Sequence, residues 1–244
     1  PSSIVMIDCN DSLLYHLTIG GDNSLFVDYL RLACYSSFRG KRAPKFWHCR
    51  HGNTSIIDLS QSADDIFSGI KSNFRNEIRR AEKEGVTLAV EENVASFVKY
   101  YNEFAIQKGL SAITVKNVTK YPSEIITKAI GPSGEVLTYH AYIIDEDDKR
   151  VYLLYSASKR LDESVDTKLI GYANKFLHFK DIEMFKQKGM AIYDFNGIGG
   201  DDFSKPATGI RLFKMSFGGT TEQTLNYNSP LMSLALFVRK ILHK

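Results

Sequence analysis

Residues 136–144 and 151–158 are two runs dense in Tyr, Leu, Ile and Val, separated only by the polar stretch 145–150. Strand formers on either side of so short a connection pair as an antiparallel hairpin, because a parallel return needs a crossover of a dozen residues or more. Directly downstream, residues 169–188 carry a helical apolar repeat closed by Gly189, and residues 191–195 read as a further strand. A chain built around that hairpin lacks the strict βαβ alternation of a doubly wound sheet. The fold class is therefore mixed α/β, with a largely antiparallel central sheet flanked by helices.

The other elements are consistent with this layering. Phe67, Ile70, Phe74, Ile78 and Ala81 recur at helical spacing after Asp64 and Asp65, so one helix is expected from Asp64 to Gly85. A strand over 86–90, a helix over 94–108 ended by Gly109, and a third helix over 121–130 follow. Beyond the 191–195 strand come a glycine-rich loop at 196–200, a short helix over 207–213, a strand over 221–227 and a last helix from Pro230. The first 60 residues hold short apolar or aromatic runs at 4–7, 13–17, 46–49 and 56–59, broken by Gly-Asp-Asn, Arg-Gly-Lys and His-Gly-Asn. They read as strands joined by turns, with one helix near 25–34.

Composition narrows the class of protein. With 43% hydrophobic residues in 244, the chain can bury a sizeable core, which excludes a disordered segment or a disulfide-stapled miniprotein. A net charge of +3 is too mild to coat nucleic acid, so no DNA partner is expected and any anion must be held by a local cluster. Cys9, Cys34 and Cys49 are sparse and lack Cys-x-x-Cys spacing, which favours reduced thiols in the cytoplasm. The longest apolar run, 231–238, falls far short of the ~20 residues that span a bilayer, and no signal peptide is read at Pro1.

Several residues invite chemistry. Lys71, Arg75 and Arg79 are spaced by four and continue to Lys83, forming a basic row that would suit a phosphate or serve as a solvated helix face paired with Glu77, Glu82 and Glu84. The glycines after Asn196 allow backbone N–H groups to converge on an anion, or mark a plain turn. Asp194, at the end of the preceding strand, is placed either to accept a proton from an amine or to cap the loop. Tyr152 and Tyr155 are three apart on a strand and should face opposite sides of the sheet. His48, Cys49 and His51 lack a second ligand pair, so no metal site is expected. The terminal helix sets Leu231, Leu234, Val238 and Ile241 on one side and Arg239, Lys240, His243 and Lys244 near its end. Docking on the core is its default fate, and reversible contact with an anionic membrane the alternative.

Five segments, in order, carry a family likeness: SNFRNEIRRAEKEGV (72–86), YLLYSAS (152–158), YANKFLHFKDI (172–182), GMAIYDFN (189–196) and GIRLFKMSFGG (209–219). Together they resemble the FemAB-like branch of the GNAT acyltransferase superfamily over roughly residues 56–227. The resemblance implies a reduced, strand-rich N-terminal portion (1–60) packed on a GNAT-like domain (61–244). It also implies a cytoplasmic N-acyltransferase, at the inner face of the membrane if its acceptor is lipid-linked, forming an amide on an amino group of a cell-envelope glycan or peptidoglycan precursor. The lysine of the Phe213-Lys214 pair is then an active-site cation, with Arg211 beside it, Tyr155 a proton donor to the leaving group, and Ser156, Asn174, Asn196 and Gly197 substrate contacts. Arg75 and Arg79 are expected to hold phosphate.

Acyl-CoA is slightly favoured as donor because one such unit offers little surface for tRNA. Against it, the Arg/Gln-x-x-Gly-x-Gly/Ala loop of ordinary GNAT enzymes is replaced by residues 159–166. The alternatives are an aminoacyl-tRNA-dependent transferase of the peptidoglycan-bridge type and a non-catalytic glycan-nucleotide module. The transferase reading expects Arg75 and Lys214 to share one cavity and treats their separation as grounds to abandon it.

Overall fold

A computed structural model describes residues 7–10, 15–20, 30–38, 45–159, 166–198 and 205–242. The strands are β1 (Ile7–Asn10), β2 (Tyr15–Ile19), β3 (Leu32–Phe38), β4 (His48–Asp58), β5 (Thr87–Val90), β6 (Glu124–Ile130), β7 (Val136–Asp145), β8 (Arg150–Ser158), β9 (Ile192–Gly197) and β10 (Thr220–Asn228). The helices are α1 (Ala63–Gly69), α2 (Ser72–Lys83), α3 (Val94–Lys108), α4 (Val115–Thr119), α5 (Thr167–Gln187), α6 (Lys205–Met215) and α7 (Pro230–Leu242). All described strands join one sheet, ordered β1-β2-β3-β10-β4-β9-β8-β7-β6-β5. Only β2 with β3 and β8 with β9 run parallel; every other neighbouring pair is antiparallel.

Helix α5 is the centre of the molecule. Asp166 caps it by accepting the Lys168 N–H at 2.8 Å, and Leu169, Ala173, Phe176, Leu177 and Phe185 lie buried between the sheet and α2. Helix α2 buries Phe74, Ile78 and Ala81 on its inner face, and Lys175 of α5 reaches across to Glu77 at 2.6 Å. On the other side of the sheet, α3 places Phe97, Tyr101 and Ala105 over β7 and β8. Gly109 ends α3 at φ +65°, the left-handed conformation that a C-terminal glycine adopts without steric cost.

The structure departs from the sequence reading at identifiable places. Residues 124–130, expected to be helical, form strand β6: Ile125, Ile126 and Thr127 are three consecutive β-branched residues, and they pair in register with Tyr142, Ala141 and His140 of β7. The single helix expected from Asp64 is two, broken at Ile70, whose ψ of 139° is extended, because Gly69 is followed by a turn that docks the Lys71 N–H on the Ser216 carbonyl at 2.9 Å. The His-Gly-Asn break lies inside β4, where Gly52 fits closely against Thr224 and Asn226 of β10. Of the helix expected near 25–34, residues 25–29 lie outside the described residues, and Leu32 to Cys34 belong to β3. Helix α7 lies against β3 and β10 through its first turn, with Pro230, Met232 and Ser233 partly buried, and buries no residue fully.

Candidate active site

Strands β8 and β9 pair only from Arg150–Ile192 to Tyr152–Asp194 and then splay. Two local devices force the splay. In β8 the register with β7 slips between Ala141–Tyr155 and Tyr142–Leu153, leaving Leu154 as an extra, bulged residue. In β9, Asn196 adopts φ +61°, a conformation asparagine tolerates better than most residues, and its side-chain amide donates to the Leu153 carbonyl at 3.3 Å. The gap is a cleft of about 770 Å³, within the usual range for small-molecule sites. Leu153 to Ser156 of β8 and Phe195 to Gly197 of β9 line it. Asn174 and His178 of α5, Phe213 and Lys214 of α6, and Phe104 and Lys108 at the end of α3 complete its walls.

Lys214 is seated by its neighbour. Phe213 enters an aromatic cluster with Phe74, Phe217 and His178, with ring centroids 5.4–5.6 Å apart, and this anchors α6 over the end of β9. The next residue then reaches back, and Lys214 Nζ donates to the carbonyls of Phe195 (2.7 Å), Asn196 (3.3 Å) and Gly197 (2.8 Å). Burial pushes its pKa down to about 8, while the nearby Asp194 carboxylate pulls the other way. The left-handed turn at Asn196 therefore serves to converge carbonyls on a cation. Of the two readings of this loop, anion cradle or plain turn, its described residues form no cradle: the Asn196, Gly197 and Ile198 N–H groups are already donated to Asp194 Oδ1, Asn196 Oδ1 and the Asn53 carbonyl. Gly199 and Gly200 lie outside the described residues.

The structure brings Lys214, Tyr155, Ser156, Asn174, Asn196 and Gly197 together in the one cleft. Asp194, Arg75, Arg79 and Arg211 are not among its lining residues. Asp194 is 1% exposed and fully engaged. Its Oδ2 accepts from Arg150 Nε (3.0 Å) and Nη2 (2.6 Å), and its Oδ1 accepts from Thr54 Oγ1 and the Asn196 N–H. Although burial disfavours the Arg150 charge, Asp194 and Glu222 hold that guanidinium firmly protonated. A carboxylate with one oxygen held twice by a buried arginine and the other by a hydroxyl and a backbone N–H has no free lone pair aimed at a substrate amine, so the proton-acceptor assignment of Asp194 does not fit.

Arg75 Nη1 donates to the Ser68 and Ile70 carbonyls at the end of α1, and Arg79 stacks over the Phe67 ring at 5.1 Å. The basic row is a helix face with local partners, and Arg75 and Lys214 do not share the cleft. Arg211 is exposed on α6. Tyr152 and Tyr155 face the same side of the sheet, because they pair with Ile143 and Ala141, two residues apart on β7, and the Leu154 bulge absorbs the odd step. Tyr155 packs on Tyr101 at 5.0 Å, and burial, with Tyr101 adding to it, raises its phenol pKa.

The sequence reading missed His178 and the buried polar groups behind it. Asn174, His178 and Asp181 stand at i, i+4 and i+7 on the inward, largely apolar face of α5, and Thr138, His140 and Tyr142 alternate along β7. Polar stripes at helix and strand period, facing each other inside a core, are the signal that would have found them.

No family model matches the chain, and no curated protein matches it by sequence. Solved structures do. FemX superposes with a TM-score of 0.67 at 12% identity, covering 94% of this chain and 85% of that one. The C-terminal domain of a lysylphosphatidylglycerol synthetase from Agrobacterium fabrum gives 0.62 at 13% identity, covering 97% and 85%. The Bacillus licheniformis L-PGS gives 0.59 at 11% identity, covering 93% and 81%. The chain thus has the fold of FemX and of these synthetase domains, the FemAB-like α/β fold that its motifs resemble.

Proposed function

We propose that the chain is an acyltransferase that forms an amide in the β8/β9 cleft by direct attack of an acceptor amine on an activated acyl group. The observation that carries this reading is the splay itself: a cleft of about 770 Å³ opens where the parallel ladder ends, with the Lys214 ammonium on its wall. Past Tyr152, the edge of β8 that faces the gap has no strand partner in β9. An extended donor arm can pair there as a strand would. The three hydrogens of Lys214 are held by the Phe195, Asn196 and Gly197 carbonyls, so it acts on the developing tetrahedral oxyanion through its charge, or by exchanging one of those bonds for the oxyanion. The effect is worth up to several kcal/mol in a site shielded from water. Proximity of the two bound substrates supplies much of the rest, without a covalent enzyme intermediate. The separation of Arg75 from Lys214 meets the condition set above for abandoning the shared two-cation cavity, and that cavity is given up together with the phosphate clamp of the basic row. A transferase reading is retained on other grounds: the splayed cleft with Lys214 on its wall, and the fold shared with FemX.

A thioester such as acyl-CoA fits the mostly apolar cleft and remains the favoured donor over aminoacyl-tRNA. The acceptor is an amine of a cell-envelope precursor, carried on a glycan, peptide or lipid. The lysylphosphatidylglycerol synthetases alike in fold favour a lipid carrier, and so does α7. Among the described residues no helix is long and apolar enough to cross a membrane. Yet α7 exposes Leu234 (58%), Phe237 (61%) and Ile241 (57%) along one face and ends in Arg239 and Lys240, the pattern of a helix lying on an anionic interface. Vesicle sedimentation checks this: binding to phosphatidylglycerol vesicles and not to phosphatidylcholine vesicles is expected.

A thermal-shift screen of the whole chain against acetyl-CoA, long-chain acyl-CoA, CoA and nucleotide sugars tests the donor. A donor present at a hundred times its Kd stabilises by about 2.7 kcal/mol. In the transfer assay, ribonuclease abolishes turnover from a tRNA donor and leaves a thioester donor untouched. Stabilisation by nucleotide sugars alone, with no transfer from any donor, would favour a binding module instead.

A further inference from the structure

Behind the cleft wall lies a connected set of buried polar groups, joined to the cleft-lining Asn174 through His140 Nε2 at 3.0 Å. His178 of α5 is 2% exposed and lines the cleft. Its Nδ1 is 2.9 Å from the Tyr193 hydroxyl, which is 2.8 Å from the Tyr142 hydroxyl, which is 2.6 Å from Asp181 Oδ2. Asp181 is 0% exposed, and His140 Nδ1 also lies 2.8 Å from its Oδ2. Hydrogen-bond accounting fixes the direction of the chain. A carboxylate only accepts, so His140 Nδ1, which is also 3.1 Å from the Tyr142 hydroxyl, must carry its hydrogen toward Asp181 and offers no lone pair. Tyr142 therefore spends its single hydrogen on Asp181 as well. Tyr193 must then be the donor to Tyr142, and with its own hydrogen spent it can only accept from His178. His178 therefore carries its hydrogen on Nδ1, and the neutral ring has its lone pair on Nε2.

We propose that His178 Nε2 is the base that takes the proton from the acceptor amine, and that Tyr193, Tyr142 and Asp181 are positioning residues that fix its tautomer and receive the charge. The inference rests on the acyltransferase reading of the same cleft. As the C–N bond forms and the donor's C–S or C–O bond breaks, the amine proton moves to Nε2. The Nδ1 hydrogen passes to Tyr193, that of Tyr193 to Tyr142, and that of Tyr142 to Asp181. The sequence reverses when the leaving group takes the Nε2 proton, so every atom is restored and no further reactant is needed.

The surroundings keep His178 a neutral base at rest. Burial, the stacked His140 ring of β7 at 3.9 Å, Lys214 of α6 and Lys175 of α5 all disfavour its charged form. On the same face, Asp181 acts through the two tyrosines, and burial holds both phenols protonated.

The test has two arms on the full chain. Nitrogen-labelled histidine NMR should show His178 as the Nδ1–H tautomer, with no titration through pH 6.5, and Tyr193→Phe should release that preference while the fold is kept. A wild-type His178 that is Nε2–H, or that titrates like a free histidine, overturns the proposal. In single-turnover transfer with whichever donor and amine the screen identifies, His178→Gln should lose about a hundredfold or more. Tyr193→Phe should lose less and shift the pH profile, and Tyr142→Phe should follow it. Full activity in His178→Gln overturns the base role. If the wild type transfers nothing although its tautomer is as described, the acyltransferase reading fails and the hydrogen-bond order stands.

Discussion

Lys214 and Asp194 lie at the same end of β9, and the structure gives them different work. Asp194 completes a buried ion pair with Arg150, each 1% exposed. Removing Asp194 leaves the buried Arg150 charge with Glu222, 2.7 Å away and partly exposed, as its remaining carboxylate. The cost therefore falls at or below the low end of the about 3–5 kcal/mol of breaking a buried pair. Asp194→Ala should lower the thermal midpoint by up to roughly 10 °C while the molecules that remain folded keep their turnover. Lost turnover at an unchanged midpoint would restore Asp194 as a proton acceptor. Lys214 is pH-sensitive in a defined direction. Its folded pKa of about 8 lies below the ordinary 10.5, so between those values the unfolded chain binds a proton that the folded chain does not. Stability from this group therefore rises as pH increases through that window. Turnover should fall above pH about 8 as the ammonium is lost. With His178 held well below 6.5, no acid limb is expected at the ordinary histidine value. Rate measurements across this range, with unfolding followed in parallel, separate the two effects.

At the scale of elements, the site depends on how tightly the chain is drawn around the splay. The turn from α6 into β10 passes so close to the end of α1 that a Cβ on Gly218, at φ +81°, would lie 2.5 Å from the Gly69 carbonyl oxygen. Gly218→Ala should cost more than ~1 kcal/mol through its left-handed backbone alone. Denaturant unfolding should show a lower midpoint at an unchanged slope. Much of this layout is legible in the sequence. The hairpin, α3 with Gly109, α5 with Gly189, and the Phe213-Lys214 pair are local patterns that the fold keeps. What was not legible depends on long-range pairing. The strand identity of 124–130 is decided by β7, and the common facing of Tyr152 and Tyr155 by a bulge that spacing cannot reveal. The lone-looking Asp194 acquires its partner from Arg150, 44 residues away. The Arg75 and Arg79 row read as a binding face because periodicity shows which side chains align and not which carbonyl or ring each one meets.

At the scale of the molecule, the sheet of ten described strands joins the N-terminal strands to the rest through β10, and β4 lies beside β9. The cleft is thus braced on one side by strands from both ends of the chain and opens on the other between α3, α5 and α6. The central claim is that acyl transfer occurs in this cleft with Lys214 as its charge-stabilising group. The most direct test compares wild type with Lys214→Ala for donor affinity and for the rate of the transfer step in a single turnover. The account predicts a folded variant that binds the donor within a few-fold of wild type and transfers at least about a hundredfold more slowly, on the scale of losing one oxyanion-stabilising donor. Transfer at the wild-type rate by a folded Lys214→Ala protein would contradict it.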